Sequence, residues 1–175
     1  MLRVGAAALL LAVAGCSNLF SSTASTAPTV PCPRVAVLNE LSELVRFRPG
    51  TGRDLTDVEM EAKFTGLSYG CRYDRQAVHV EIEVEIEAAR GPAMPQSKGA
   101  FQYFAAVTNP AGEIVAKETF GTEVEFKGNA TRLVVSDELA QRIPLLDRTT
   151  ATSWSVLIGL QLTDEQRAWA KGRRR

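Results

Sequence analysis

A chain of 175 residues with 20 basic and 20 acidic side chains carries no formal net charge, so no overall field draws it to nucleic acid or to an anionic surface. Three cysteines and a single histidine, His79, are too few and too far apart in sequence for a metal centre, and no Cys-x-x-Cys redox pair occurs. The length suits one domain with a flanking segment, large enough to fold on its own apolar core.

The first sixteen residues organise the rest. Arg3 is followed by an apolar and small-residue run, Val4 to Ala14, of about eleven residues, where a membrane-spanning helix needs about 20. A basic start, a short apolar core and a small-residue exit read as a secretory signal over residues 1–15. The exit Val13-Ala14-Gly15-Cys16 resembles the lipobox of bacterial lipoproteins. That resemblance implies cleavage before Cys16, a diacylglycerol on its thiol, and acylation of the new amino group by a fatty acid such as palmitate. Ser17, not Asp, follows the cysteine; by resemblance to the enterobacterial sorting rule, the expected destination is the outer membrane, with the domain facing the periplasm.

Residues 16–31 are uncharged and rich in Ser, Thr, Ala and Pro, the composition of a flexible tether. About 15 such residues span roughly 20 Å on average. With Cys16 assigned to lipid, Cys32 and Cys71 are left as a pair in an oxidising compartment, which favours one disulfide over two buried free thiols.

The folded domain is expected over residues 32–163. Arg34 to Leu38 reads as a first strand, and Leu41 to Phe47 is ambiguous between strand and helical turn. The turn Arg48-Pro49-Gly50-Thr51-Gly52 lacks the Lys-Ser/Thr ending of a phosphate loop. Period-two alternation is clearest at Asp57 to Phe64 and at Ala77 to Ala89, where Val78, Val80, Ile82, Val84 and Ile86 alternate with His79, Glu81, Glu83, Glu85 and Glu87. As hairpin neighbours, these two strands risk opposing Glu59 and Glu61 to the Glu81–Glu87 row, so the expectation places them in different sheets. Ala100 to Thr108 is apolar on both faces and turns at Asn109-Pro110-Ala111-Gly112 into an antiparallel partner, Glu113 to Phe120. Further short strands are expected at Glu123 to Lys127 and Arg132 to Val135, with Ser136 placed to cap a helical turn from Asp137 to Arg142. A final strand runs from Ser153 to Leu162. Thr163-Asp164-Glu165-Gln166 then forms a capping box that opens a short helix and basic tail over residues 164–175. The fold class is all-β: an antiparallel β-sandwich of about seven strands, resembling immunoglobulin-like or fibronectin-like domains in architecture, with a short C-terminal helix. The stretch Leu160 to Gln166 is similar to segments of proteobacterial envelope proteins.

Chemistry-bearing motifs are sparse. Parallel Glu side chains about 7 Å apart on a strand do not converge as calcium requires, so the glutamate row reads as a solvated face. His79 shares that face without a nucleophile beside it, and the common hydrolase signatures are absent. Neither enzyme nor cofactor is expected. The leading expectation is a non-catalytic module that touches the membrane through its Cys16 lipid and holds an envelope protein partner. The alternative is a binder of a glycan or other small envelope ligand, for which Trp154 and Tyr103 are the candidate aromatic residues; packing of Trp154 and Trp169 into the core is the competing reading.

Overall fold

The computed structural model describes residues 31–50, 52–145 and 147–173. The signal, Cys16 and the tether up to residue 30 lie outside the described residues. Among the described residues eight strands form: β1 (Arg34–Val37), β2 (Glu43–Phe47), β3 (Val58–Tyr73), β4 (Ala77–Arg90), β5 (Lys98–Thr108), β6 (Ile114–Glu125), β7 (Arg132–Pro144) and β8 (Ser155–Leu160), followed by helix α1 (Asp164–Arg173). One sheet has the order β1-β8-β5-β6 and the other β2-β3-β4-β7. All pairings are antiparallel except β1 with β8. The two sheets pack as a sandwich around one apolar core.

The alternation of β4 sets the inner face. Val78, Val80, Ile82, Val84, Ile86 and Ala88 are each at most 2% exposed, while Glu81, Glu83, Glu85 and Glu87 stand on the outer face. The expected separation of this strand from β3 is overturned: the two are hairpin neighbours. Register removes the electrostatic objection. Glu61 lies opposite Ala89, Lys63 opposite Glu87, and Gly66, Ser68 and Gly70 opposite Glu85, Glu83 and Glu81. No carboxylate of β3 faces one of β4, and the Lys63–Glu87 pair is attractive at 3.1 Å.

Strand β3 also runs nine residues beyond the expected Phe64. A bulge between Phe64 and Gly66 moves the inward set from Met60, Ala62 and Phe64 to Leu67, Tyr69, Cys71 and Tyr73. That change of parity hides the continuation from a period-two reading. Strand β7 supplies a second correction. Asp137 to Arg142 is no helical turn but the middle of a 13-residue strand paired to β4 throughout. Its inward row, Leu133, Val135, Asp137, Leu139, Gln141 and Ile143, contains two polar residues that break the apolar signal, and cross-strand hydrogen bonding outweighs the local capping preference of Ser136. Likewise β6 is one strand where two were expected, and the last strand begins at Ser155, after a 3-10 segment over Arg148–Ser153.

The β5–β6 hairpin forms as the sequence suggests. Asn109 Oδ1 accepts from the N–H groups of Ala111 and Glu113, and Gly112 takes φ +81°. Strand β5 is buried on both faces from Phe104 to Thr108. On its outer side the Lys117 ammonium lies 4.2 Å from the Phe104 ring centre. Gly159 is needed beside it, because a Cβ there would meet Leu41 Cβ at 2.9 Å. Helix α1 has the expected capping box: Thr163 Oγ1 accepts from the Gln166 N–H and Gln166 Oε1 from the Thr163 N–H. It packs on β2, with Trp169 edge-on to Phe47 at 4.9 Å.

Cys32 and Cys71 form a disulfide across 39 residues, with Cα atoms 5.9 Å apart. It ties the segment before β1, in the first sheet, to the end of β3 in the second. Replacing both cysteines by serine is expected to lower the unfolding free energy by about 2–4 kcal/mol. A fall in the denaturation midpoint under non-reducing conditions, with native circular dichroism kept, would show it.

Candidate interaction surface

The two lateral sides of the sandwich differ. On one side, β1 and β2 end their sheets, joined by the crossing between them, and helix α1 packs on β2 and on that crossing. On the other, β6 and β7 end their sheets, and neither pairs further among the described residues. These two edges lie against each other across the sandwich. The fully buried Tyr103 on β5 donates its hydroxyl to Asp137 Oδ2 on β7 at 2.6 Å. Gln141 Nε2 on β7 donates to Glu118 Oε2 on β6 at 3.4 Å. Phe120 of β6 is half-buried and stacks on the Tyr103 ring at 5.2 Å and 24°. Burial, reinforced by the Asp137 carboxylate, pushes the Tyr103 hydroxyl far above its ordinary range, so it stays a proton donor at every working pH.

Glu118 and Asp137 are carboxylates on the inward-facing rows of edge strands, a device by which sheets resist indiscriminate pairing. At the mouth of this side stand Ile114, 63% exposed, and Val115, 54% exposed. Sequence reasoning missed this surface because strand order is invisible in periodicity. The signal available was the pair of carboxylates at otherwise apolar, inward positions.

The outer face of the second sheet is acidic and uneven. Glu87 is held by Lys63 and Arg132, whose hydrogen bonds and charge pull its carboxyl below the usual range, with Lys63 contributing most. Glu81 pairs with Arg72 at 2.9 Å. Between these, Glu83, Glu85 and Glu138 are flanked by Gly66, Ser68, Gly70, Ser136 and Ala140, which are too small to shield them. Among the described residues, no three His, Cys, Asp or Glu side chains converge as a metal-binding group.

His79 hydrogen-bonds Asp74 at the hairpin between β3 and β4, Nε2 to Oδ2 at 2.8 Å. The other oxygen of Asp74 accepts from the N–H groups of Gln76 and Ala77, both at 2.7 Å. This bonding, His79 first, brings the Asp74 carboxyl down to about 2.

The candidate aromatic residues are dispersed. Tyr103 has no exposed surface to offer a ligand, and Trp154 is partly buried against the core. Phe47 and Trp169 line a cleft of about 540 Å³ between α1 and Arg48, Pro49, Gly50 and Arg53. Its three arginines are each matched by a carboxylate: Arg46 with Glu59, Arg48 with Asp57, and Arg53 with Glu165.

No protein-family model matches this chain, and no curated protein matches it in sequence.

Because the folded-state value of Asp74 lies below its ordinary 3.8, this carboxylate favours folding above about pH 4, and that contribution is lost as the pH falls through about 2. The melting temperature of Asp74→Asn is therefore expected to fall short of the wild type most above pH 4, with the gap narrowing toward pH 2. Thermal melts across that range read it directly.

Proposed function

We propose that this chain is a lipid-anchored envelope protein whose sandwich serves as a non-catalytic interaction module, held to the outer membrane through Cys16 and facing the periplasm. The observation that carries the interaction role is the open lateral side, where two long strands leave their outer edges unpaired beside exposed Ile114 and Val115. An unpaired strand offers main-chain donors and acceptors to an added strand, while flanking side chains supply selectivity. The anchor rests on the lipobox resemblance. The disulfide supports it, since such bonds persist in oxidising compartments outside the cytosol. No helix among the described residues is long and apolar enough to cross a membrane.

A second reading, binding of a glycan or another small envelope ligand, draws on the cleft beside α1. There Phe47 and Trp169 offer ring faces and edges, and Arg53 stacks over Phe47 at 5.3 Å. The neutralised arginines leave little net field for an anionic ligand, so the protein-partner reading stands first.

Metabolic labelling with a palmitate analogue should mark the wild type and not Cys16→Ala, and the variant should leave the membrane fraction. In-cell crosslinking should then recover protein adducts through positions on β6 or β7 and none through the β2 side. Equal labelling of both chains would sink the anchor; adducts confined to the α1 cleft would move the interaction elsewhere.

A further inference from the structure

We propose that the free edge of β6 pairs with β6 of a second copy of this chain, antiparallel, about a two-fold axis through Phe120. The inference rests on the reading above, that this side of the sandwich is where the module interacts, and it names one partner.

Directly opposed residues in an antiparallel pair share a face, so the axis of a symmetric pairing falls on a residue of β6. With the axis on Phe120, residues 115 to 125 pair along almost the whole strand. On the outer face, Lys117 then stands opposite Glu123 of the second copy, and symmetry makes the contact twice. Lys117 is already directed along that face: its ammonium lies over Phe104 and donates to Gln161 Oε1 at 3.3 Å.

The inner face selects the same axis. Glu118 points inward there, and an axis at Phe120 sets it against the hydroxyl of Thr122 of the second copy. An axis at Thr119 sets it against a Phe120 ring, one at Gly121 against Val124, and one at Glu118 against its own twin. A carboxylate opposed to an apolar side chain or to another carboxylate is penalised, so Glu118 works as a register lock. Phe120 meets its counterpart on the axis. The half-buried ring that stacks on Tyr103 thereby gains a neighbour on its open side, giving a row of four aromatic rings through the interface. At the exposed ends of the pairing, on the outer face, Val115 stands opposite Glu125 of the second copy, where both side chains stay in water.

Sedimentation of the full lipidated chain in detergent tests this, with the concentration dependence fitted to a monomer–dimer equilibrium. Lys117→Glu and Glu123→Lys are each expected to weaken the dimer by about tenfold, since two exposed attractive contacts become repulsive. Together, Lys117→Glu/Glu123→Lys should restore the wild-type constant to within about threefold. Independently of any variant, amide hydrogen exchange over residues 114–125 should slow as the wild-type concentration rises. A wild type that stays monomeric, with exchange independent of concentration, overturns the proposal. So does a double variant as weak as the singles while all melt alike. A lipidated monomer leaves the interaction-module reading standing, whereas a dimer without palmitate label removes the anchor and keeps the self-pairing.

Discussion

Everything in this domain is arranged around the inner row of β4. Six consecutive inward positions, from Val78 to Ala88, are closed to solvent, and the strand is hydrogen-bonded on both sides, to β3 and to β7. A slip of one residue would turn Glu81, Glu83, Glu85 and Glu87 into the core and the aliphatic row into water, so the register of three strands is decided at once. That single constraint also decides which residues of β3 and β7 lie across from carboxylates. Lys63 lies opposite Glu87, Arg132 reaches the same carboxylate from the next pair on that face, and apart from Val134 and Glu138 the remaining places hold glycine, serine or alanine.

The legible part of the fold was wherever one face is uniformly apolar. Strand β4, the Asn109–Gly112 hairpin, the inward row Val156, Ile158 and Leu160, and the Thr163 capping box all follow from local pattern. The features that escaped have local causes of another kind. At Thr65 one extra residue flips the parity of β3, so its second half looks like loop. Along β7 the polar Asp137 and Gln141 occupy inward places because they are answered by Tyr103 and Glu118, partners that lie far away in sequence. Sheet membership of β3 and β4 is not legible in the sequence, because opposition of charge depends on register to the residue, and the bulge resets it. The cysteine pair was legible from arithmetic. The lateral surface was not, because only strand order reveals which edges are left over.

The resulting sandwich is polarised in two directions. Between its outer faces, the second sheet is strongly acidic, while the first presents Phe104, Ala106 and Leu157 beneath Lys117 and Leu41. Between its lateral sides, one carries α1 against β2 and the chain crossing, and the other has two strand edges joined by a polar seam. Tyr103 belongs to both arrangements. Its ring fills the core against Phe64 and Phe120, and its hydroxyl satisfies the one carboxylate that β7 turns inward. A core residue is thus also what permits an edge strand to carry a charge facing the interior.

The position of the disulfide has a mechanical corollary. Strand β1 is four residues long and holds to β8 alone, so traction applied to the chain ahead of it would peel it off one rung at a time. The cystine diverts that load before it reaches β1, delivering it to the end of β3. There it meets a 16-residue strand paired to β4 along nearly its whole length. Traction on the chain ahead of Cys32 therefore bypasses the four-residue first strand.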